Sequence, residues 1–190
     1  MEKKVKISKQ ILSEIALYYG SIDRPKGYEV NRQQIKADIL EAQLAHKTES
    51  DSPYSYRFFD YKLNYSKDMG YVHEYVSEYF NLNYGLPIVP TLSVGNVLEY
   101  REQSFSRKLV EQDHLRESAD FVMIYGVDVT KDSTNIVIEY DNNRRVDKTW
   151  HAPLNNNDFV MFPSSQRFFI SGNTSHSPNV YLLTTFELVG

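Results

Sequence analysis

The side chains of this chain that can bind a metal ion or move a proton are five histidines and 25 aspartates and glutamates; there is no cysteine. The absence of cysteine excludes disulfides, cysteine-ligated zinc and thiol nucleophiles. His114 lies near Asp113 and Asp120 in the sequence. On an extended strand Asp113 points to the opposite face, and about 20 Å of chain separates His114 from Asp120. Spacing alone therefore predicts that His114 is a surface or hydrogen-bonded core histidine.

Other reaction chemistries have no matching pattern in the sequence. It contains neither a Gly-rich phosphate loop nor a Gly-x-Ser-x-Gly nucleophile elbow. Glu74 and Glu78 lie one turn apart on a predicted helix, which is typical of a solvated face. His46 and His73 also fall on predicted helices, where we expect them to be exposed or partly buried, and His151 is predicted at a strand end.

The first half of the chain has the apolar spacing of helices. Helices are predicted over residues 8–19, 32–46 and 67–82. Each follows a residue that can cap it, namely Ser8, Asn31 and Ser66. A polar run from Thr48 to Pro53 indicates a loop. We place a boundary there, between an N-terminal helical segment of residues 1–50 and a domain of residues 51–190.

Beyond Gly85 the apolar period changes from about 3.6 to about 2, which indicates strands. An aromatic strand is also predicted within residues 55–63. The later strands are predicted at Ile88–Leu92, Gly95–Tyr100, Phe105–Val110, Ala119–Val129, Thr134–Tyr140, Val146–His151, Asp158–Phe162, Arg167–Ser171 and Asn179–Leu188. Many short strands in succession favour an antiparallel sandwich or barrel. The predicted fold class is therefore α+β, mainly β.

Composition limits the partners. The formal net charge is −4, so we expect no nucleic-acid surface. No stretch approaches the ~20 apolar residues that span a bilayer, and the charged N-terminus is not followed by the apolar run of a signal peptide. The 15 tyrosines and 10 phenylalanines suit half-buried strands or protein interfaces.

Three stretches carry a family pattern. They are His114–Val127, Pro153–Ser165 with its Asp-Phe-Val-Met-Phe-Pro-Ser core, and Val180–Glu187. Their order and spacing resemble the 2-oxoglutarate/iron(II) dioxygenases, especially small members common in tailed phages of marine cyanobacteria. The resemblance covers roughly residues 65–188. It implies a double-stranded β-helix, that is, a jelly-roll or cupin-like barrel, after the N-terminal helices.

The resemblance also implies where an iron site would lie. His114 matches the first ligand, and Arg116 stands where the carboxylate or second histidine belongs. Phe168 matches the distal histidine, and Tyr181 the arginine that grips 2-oxoglutarate. A guanidinium and a phenyl ring have no lone pair for iron, so these positions predict a vestigial site with no catalytic residue and no cofactor. Shifting the register would nominate His176 as distal ligand but leaves Arg116 unexplained.

Three functions remain open at this stage. The main hypothesis is a non-catalytic dioxygenase-like barrel that binds other protein subunits in a homo- or hetero-oligomeric assembly. The resemblance suggests a phage virion protein at a head, neck or tail, or a phage accessory protein in the host cytoplasm. The first alternative is an active oxygenase that uses Fe(II) and 2-oxoglutarate. The second is a metal-free binder of a small ligand, in a pocket near His114, Tyr125 and Phe168.

Overall fold

The computed structural model describes residues 15–22, 28–45, 55–59, 66–104, 119–143 and 146–190. It has two helices, α1 (Arg32–Ala45) and α2 (Lys67–Tyr84). The strands are β1 (Tyr18–Ser21), β2 (Ser55–Phe59), β3 (Ile88–Leu98), β4 (Phe121–Asp128), β5 (Asn135–Asn143), β6 (Val146–Pro153), β7 (Asp158–Pro163), β8 (Arg167–Ile170) and β9 (Asn179–Leu188). This confirms the predicted α+β, mainly β class.

The strands form two antiparallel sheets. The larger sheet has the order β1-β7-β4-β9-β3-β2, and the smaller has the order β6-β5-β8. The larger sheet has an apolar cluster on each of its two faces. Successive side chains of β4 point alternately into one cluster and the other, because neighbouring residues on a strand face opposite sides of the sheet. Val122 and Ile124 lie in the apolar cluster that includes side chains of both sheets. Met123 and Tyr125 lie in the cluster that includes both helices. The architecture is a jelly-roll-like barrel with helices against its larger sheet.

Both helices begin where the sequence predicts. The Asn31 side chain accepts a hydrogen bond from the Gln34 amide at 3.2 Å, and Ser66 accepts one from the Met69 amide at 3.0 Å. These side chains satisfy amides that lack an intrahelical partner. Helix α2 ends at Gly85, whose φ of 63° is the left-handed conformation that glycine adopts readily.

The predicted helix over residues 8–19 is wrong at its end. Tyr18 and Tyr19 belong to β1, which pairs with β7 at the edge of the larger sheet. Residues 1–14 lie outside the described residues. Pairing with β7 outweighs the helical spacing because it places Tyr18 against Phe80 of α2, with ring centroids 4.6 Å apart. The division near residue 50 stays a prediction, although β1 is a strand of the larger sheet and α1 packs against that sheet.

Two predicted strands merge into β3. Gly95 lies inside the strand and pairs with Tyr56 on one side and Leu182 on the other. A central position with partners on both sides overrides the tendency of glycine to interrupt a strand. The predicted strand Phe105–Val110 lies outside the described residues. Among the residues described, no helix is both long enough and apolar enough to cross a membrane.

The turn before β7 depends on a close approach to Gly126. A Cβ at Gly126 would lie 1.8 Å from the Asn155 carbonyl oxygen. The Asn157 amide donates to the Gly126 carbonyl at 2.8 Å, and the Asn156 side chain accepts from the Val129 amide at 2.6 Å. The turn is thus held directly against β4.

We expect Gly126→Ala to lower the free energy of unfolding by about 2 kcal/mol, because the backbone of the turn must move to admit a methyl group. Urea unfolding checks this. Gly20→Ala is the matched control, since its Cβ would meet the Phe159 ring at an ordinary 3.6 Å. Equal stability of the two variants would contradict the close approach.

Candidate functional site

The resemblance places the reaction centre between the two sheets, and there the described interior is apolar. Its buried side chains include Ile124 from β4, Phe162 from β7, Phe168 from β8 and Leu183 from β9. No three histidine, aspartate or glutamate side chains converge within the part of the chain that the structure describes. His114 and Arg116 lie outside that part, so the position of the first ligand is given by sequence alone.

Phe168 is the residue that the sequence resemblance assigns to the position of the distal ligand. Its side chain is fully buried, and its ring meets that of Phe162 edge-on, with centroids 5.1 Å apart. Its backbone pairs with Ile138 in the smaller sheet. Aromatic packing of this kind stabilises a core, and a phenyl ring offers no electron pair to a metal. The donor chemistry at this position does not fit iron.

Tyr181 fills the position expected for the cosubstrate anchor. It lies on β9 with a relative exposure of 2% and belongs to the same apolar cluster. A neutral phenol cannot form the bidentate ion pair that a guanidinium makes with a carboxylate. The described interior therefore does not fit 2-oxoglutarate at this position either.

Neither His151 nor His176 reaches the interior between the two sheets. His176 is exposed in the turn between β8 and β9, with its ring 4.3 Å from that of Tyr100. His151 is exposed on β6. Its Nε2 lies 3.3 Å from the Thr149 hydroxyl. His46 lies outside the described residues. The register shift that nominates His176 as a ligand is therefore wrong.

Asp120, the one carboxylate near His114 whose position is described, has a structural role. Its side chain accepts a hydrogen bond from the Leu188 amide at 2.7 Å, and its carbonyl accepts one from the Ser164 amide at 2.9 Å. It ties the ends of β9 and β7 to the start of β4. Asp113 lies outside the described residues.

Of the pocket predicted near His114, Tyr125 and Phe168, the last two side chains do not face one another, and His114 lies outside the described residues. Tyr125 faces the helices, where its hydroxyl donates to Asn157 at 2.9 Å, and burial raises its pKa. Phe168 faces the space between the sheets. The larger sheet separates the two side chains.

His73 is the residue that sequence reasoning misplaced. It is buried between α2 and the larger sheet, with a relative exposure of 2%. Its Nε2 lies 2.9 Å from the Thr184 hydroxyl and 3.3 Å from that of Ser93. Helical spacing could have predicted that His73 is buried, because it lies four residues after Met69 and three before Val76, on the apolar face of α2.

The His73 cluster resembles a nucleophile beside a base, but its burial argues against catalysis. Ser93 and Thr184 have exposures of 1% and 0%, so no substrate reaches either hydroxyl. Burial lowers the pKa of His73 to about 4, because a charged imidazole is poorly solvated there. Its Nδ1 has no hydrogen-bond partner among the described residues. The cluster is a polar contact that fixes α2 on the sheet.

Comparison with known proteins identifies the fold. No family model and no curated protein sequence matches the chain. Solved structures do match. Against AviO1 from Streptomyces viridochromogenes Tue57 the TM-score is 0.64 at 12% identity, over 91% of this chain and 90% of that one.

Two further matches carry functional names. A Pseudomonas putida prolyl-4-hydroxylase matches with a TM-score of 0.62 at 8% identity, over 92% of this chain and 93% of that one. An oxidoreductase of the 2OG-Fe(II) oxygenase family from Burkholderia pseudomallei matches with a TM-score of 0.58 at 9% identity, over 82% and 77%. The chain has the fold of the 2-oxoglutarate/iron(II) oxygenases. At these identities the likeness shows the fold alone, since one fold supports many functions.

Proposed function

We propose that this protein is a non-catalytic member of the oxygenase fold, whose barrel is a rigid scaffold for binding other protein subunits. The observation that supports the proposal is that Phe168, which the resemblance assigns to the distal histidine position, is buried edge-on against Phe162. An iron oxygenase needs protein ligands that hold the metal and leave coordination positions open for a cosubstrate and oxygen. A phenyl ring packed into the core supplies neither a ligand nor that open space. Arg116, next to the first ligand position in the sequence, adds a second group that cannot ligate.

Anaerobic titration with Fe(II) and 2-oxoglutarate tests the proposal. A facial triad with bound cosubstrate gives a visible charge-transfer absorption, and we expect none for this protein. The Pseudomonas putida prolyl-4-hydroxylase, titrated in the same way, serves as the positive control. A band that appears with the wild-type protein and disappears in His114→Ala would contradict the proposal.

An active oxygenase is the second candidate, and the comparisons favour it at the level of the fold. Proteins named as prolyl-4-hydroxylase and as a 2OG-Fe(II) oxygenase match over 92% and 82% of this chain. In this alternative the iron ligands come from residues outside the described part of the chain, with His114 among them. The same titration separates the two candidates.

The proposed partners are protein subunits, in a homo- or hetero-oligomer. A phage virion or accessory role remains a prediction from sequence resemblance. Light scattering on the purified protein tests self-assembly. Mass spectrometry of purified virions tests the phage assignment, and a chain that is strictly monomeric and absent from virions would contradict this part of the proposal.

A further inference from the structure

A cleft of about 520 Å³ lies between β1 and α2 on the outer side of the larger sheet. It is lined by residues 17–21 on one side and by Tyr75, Tyr79, Phe80 and Tyr84 on the other, with Phe159 between them. None of these side chains carries a charge at neutral pH. Its volume falls in the range of ligand-binding clefts, about 300–1,000 Å³, and it lies outside the barrel interior.

The cleft reaches the edge of β1 as well as the face of the sheet toward α2, where Phe159 of β7 lines it beside Gly20. Alternate side chains of a strand point to opposite faces of the sheet. Tyr18 and Gly20 line the cleft from the face toward α2, and Tyr19 and Ser21, which alternate with them, line it too, so it also reaches the backbone edge of β1. Strand β1 is the outermost strand of the larger sheet, so this edge has no neighbouring strand in the described sheet.

Hydrogen bonding shows which backbone groups of β1 point away from β7. Ile22, which follows β1, faces Asn157, which precedes β7. The Ile22 amide donates to the Asn157 carbonyl at 3.0 Å, so these two residues form a hydrogen-bonded pair. In an antiparallel pair such positions alternate, so Tyr18 and Gly20 direct their backbone groups toward β7. Tyr19 and Ser21 direct theirs away from β7, toward the cleft. An edge of this kind can pair with an added strand.

The opposite wall supplies exposed aromatic surface. Tyr79 and Tyr84 are 42% and 49% exposed, and their ring centroids are 6.0 Å apart. Tyr18 lies 5.0 Å from Tyr84 across the end of the cleft. Tyrosines combine a large apolar face with a polar tip, and they are enriched in protein interfaces.

The electrostatics of the cleft favour a cationic ligand. Glu74 and Glu78 do not line the cleft, but both are exposed on α2, each one residue before a tyrosine that does. The last turn of α2 contains no basic residue, so the partial negative charge at the helix C-terminus is not offset there. Aromatic faces also attract lysine and arginine side chains.

We propose that this cleft binds an extended, basic peptide segment of a partner protein by strand addition to β1. Backbone groups of Tyr19 and Ser21 pair with the peptide, apolar side chains at alternate positions lie against the tyrosines, and lysine or arginine side chains approach Glu74 and Glu78. The choice of a protein partner rests on the proposed function, whereas the geometry of the cleft does not depend on iron in the barrel.

Selection from a random 12-residue peptide library displayed on phage, followed by fluorescence anisotropy with labelled copies of the selected peptides, tests the proposal. We expect selected sequences rich in lysine or arginine with apolar residues at alternate positions. Tyr19→Pro removes the amide that points into the cleft and breaks no bond to β7. It should weaken binding at least tenfold relative to Tyr19→Ala, which keeps that amide. Tyr79→Ala should also weaken binding at least tenfold.

Tyr140→Ala is the matched surface control, because Tyr140 is 44% exposed on β5 of the other sheet, and it should bind as the wild type does. Failure to select any peptide, or equal affinity of Tyr19→Pro and Tyr19→Ala, would overturn strand addition. So would a dimer that Tyr19→Pro dissociates, which assigns the edge to a second copy of the chain. The Fe(II) titration is independent, so failure of this inference and failure of the proposed function give different results.

Discussion

Replacing Phe168 with alanine is expected to lower the free energy of unfolding by about 3–5 kcal/mol, the usual range for removing a buried phenyl ring. Phe168 is fully buried and packs against Phe162, so the substitution leaves a cavity between the sheets that the two sheets cannot close. Urea denaturation followed by circular dichroism measures the effect.

Phe169→Ala is the matched control for this substitution. Phe169 is the next residue on β8 and is only half-buried, and its side chain points to the opposite face of the strand. Its replacement should therefore destabilise the protein less. If Phe168→Ala were as stable as the wild type, the interior would not be packed around the ring. The case against an iron site would then lose its main support.

Lowering the pH from 7 to 4 is expected to destabilise the wild-type protein by about 3 kcal/mol more than a His73→Gln variant. The ordinary histidine pKa of 6.5 falls to about 4 in the folded protein because the imidazole is buried. Between these values the unfolded chain binds a proton that the folded chain does not. Stability from this group is thus complete above pH 6.5 and declines as the pH falls toward 4.

Glutamine suits this test because its amide can replace the hydrogen bond to Thr184 without titrating. Free energies of unfolding for both proteins would be measured in urea at several pH values. His151→Gln, which removes an exposed imidazole from β6, is the control for loss of a histidine as such. Parallel pH profiles for wild type and His73→Gln would show that His73 is not buried in its neutral form.

Local chemistry was enough to predict much of the fold. Helix α2 was predicted within two residues because its cap Ser66, its apolar spacing and its terminal Gly85 all act within one or two turns. Strands β4 and β9 were predicted as well, and both are buried on both faces, as central strands with a layer on each side are. Strand β1 was missed because four residues hold no local signal that outweighs the helical spacing around them.

For the candidate site, too, some features follow from residue type and others only from the tertiary structure. That Arg116 and Phe168 cannot ligate iron follows from their functional groups and needs no structure. That Phe168 completes the core against Phe162, and that His73 is buried against Ser93 and Thr184, depends on residues far apart in the chain.

The sequence by itself determined the fold class, the caps of α1 and α2, and that Arg116 and Phe168 carry no metal-donor group, because each depends on residue type or on near neighbours. Only the tertiary structure decided which faces of the larger sheet meet the helices and which meet the smaller sheet. It also decided that Tyr18 and Tyr84, 66 positions apart in the chain, meet across one cleft. Pairing between distant strands sets these contacts, and no local pattern encodes which strands become neighbours.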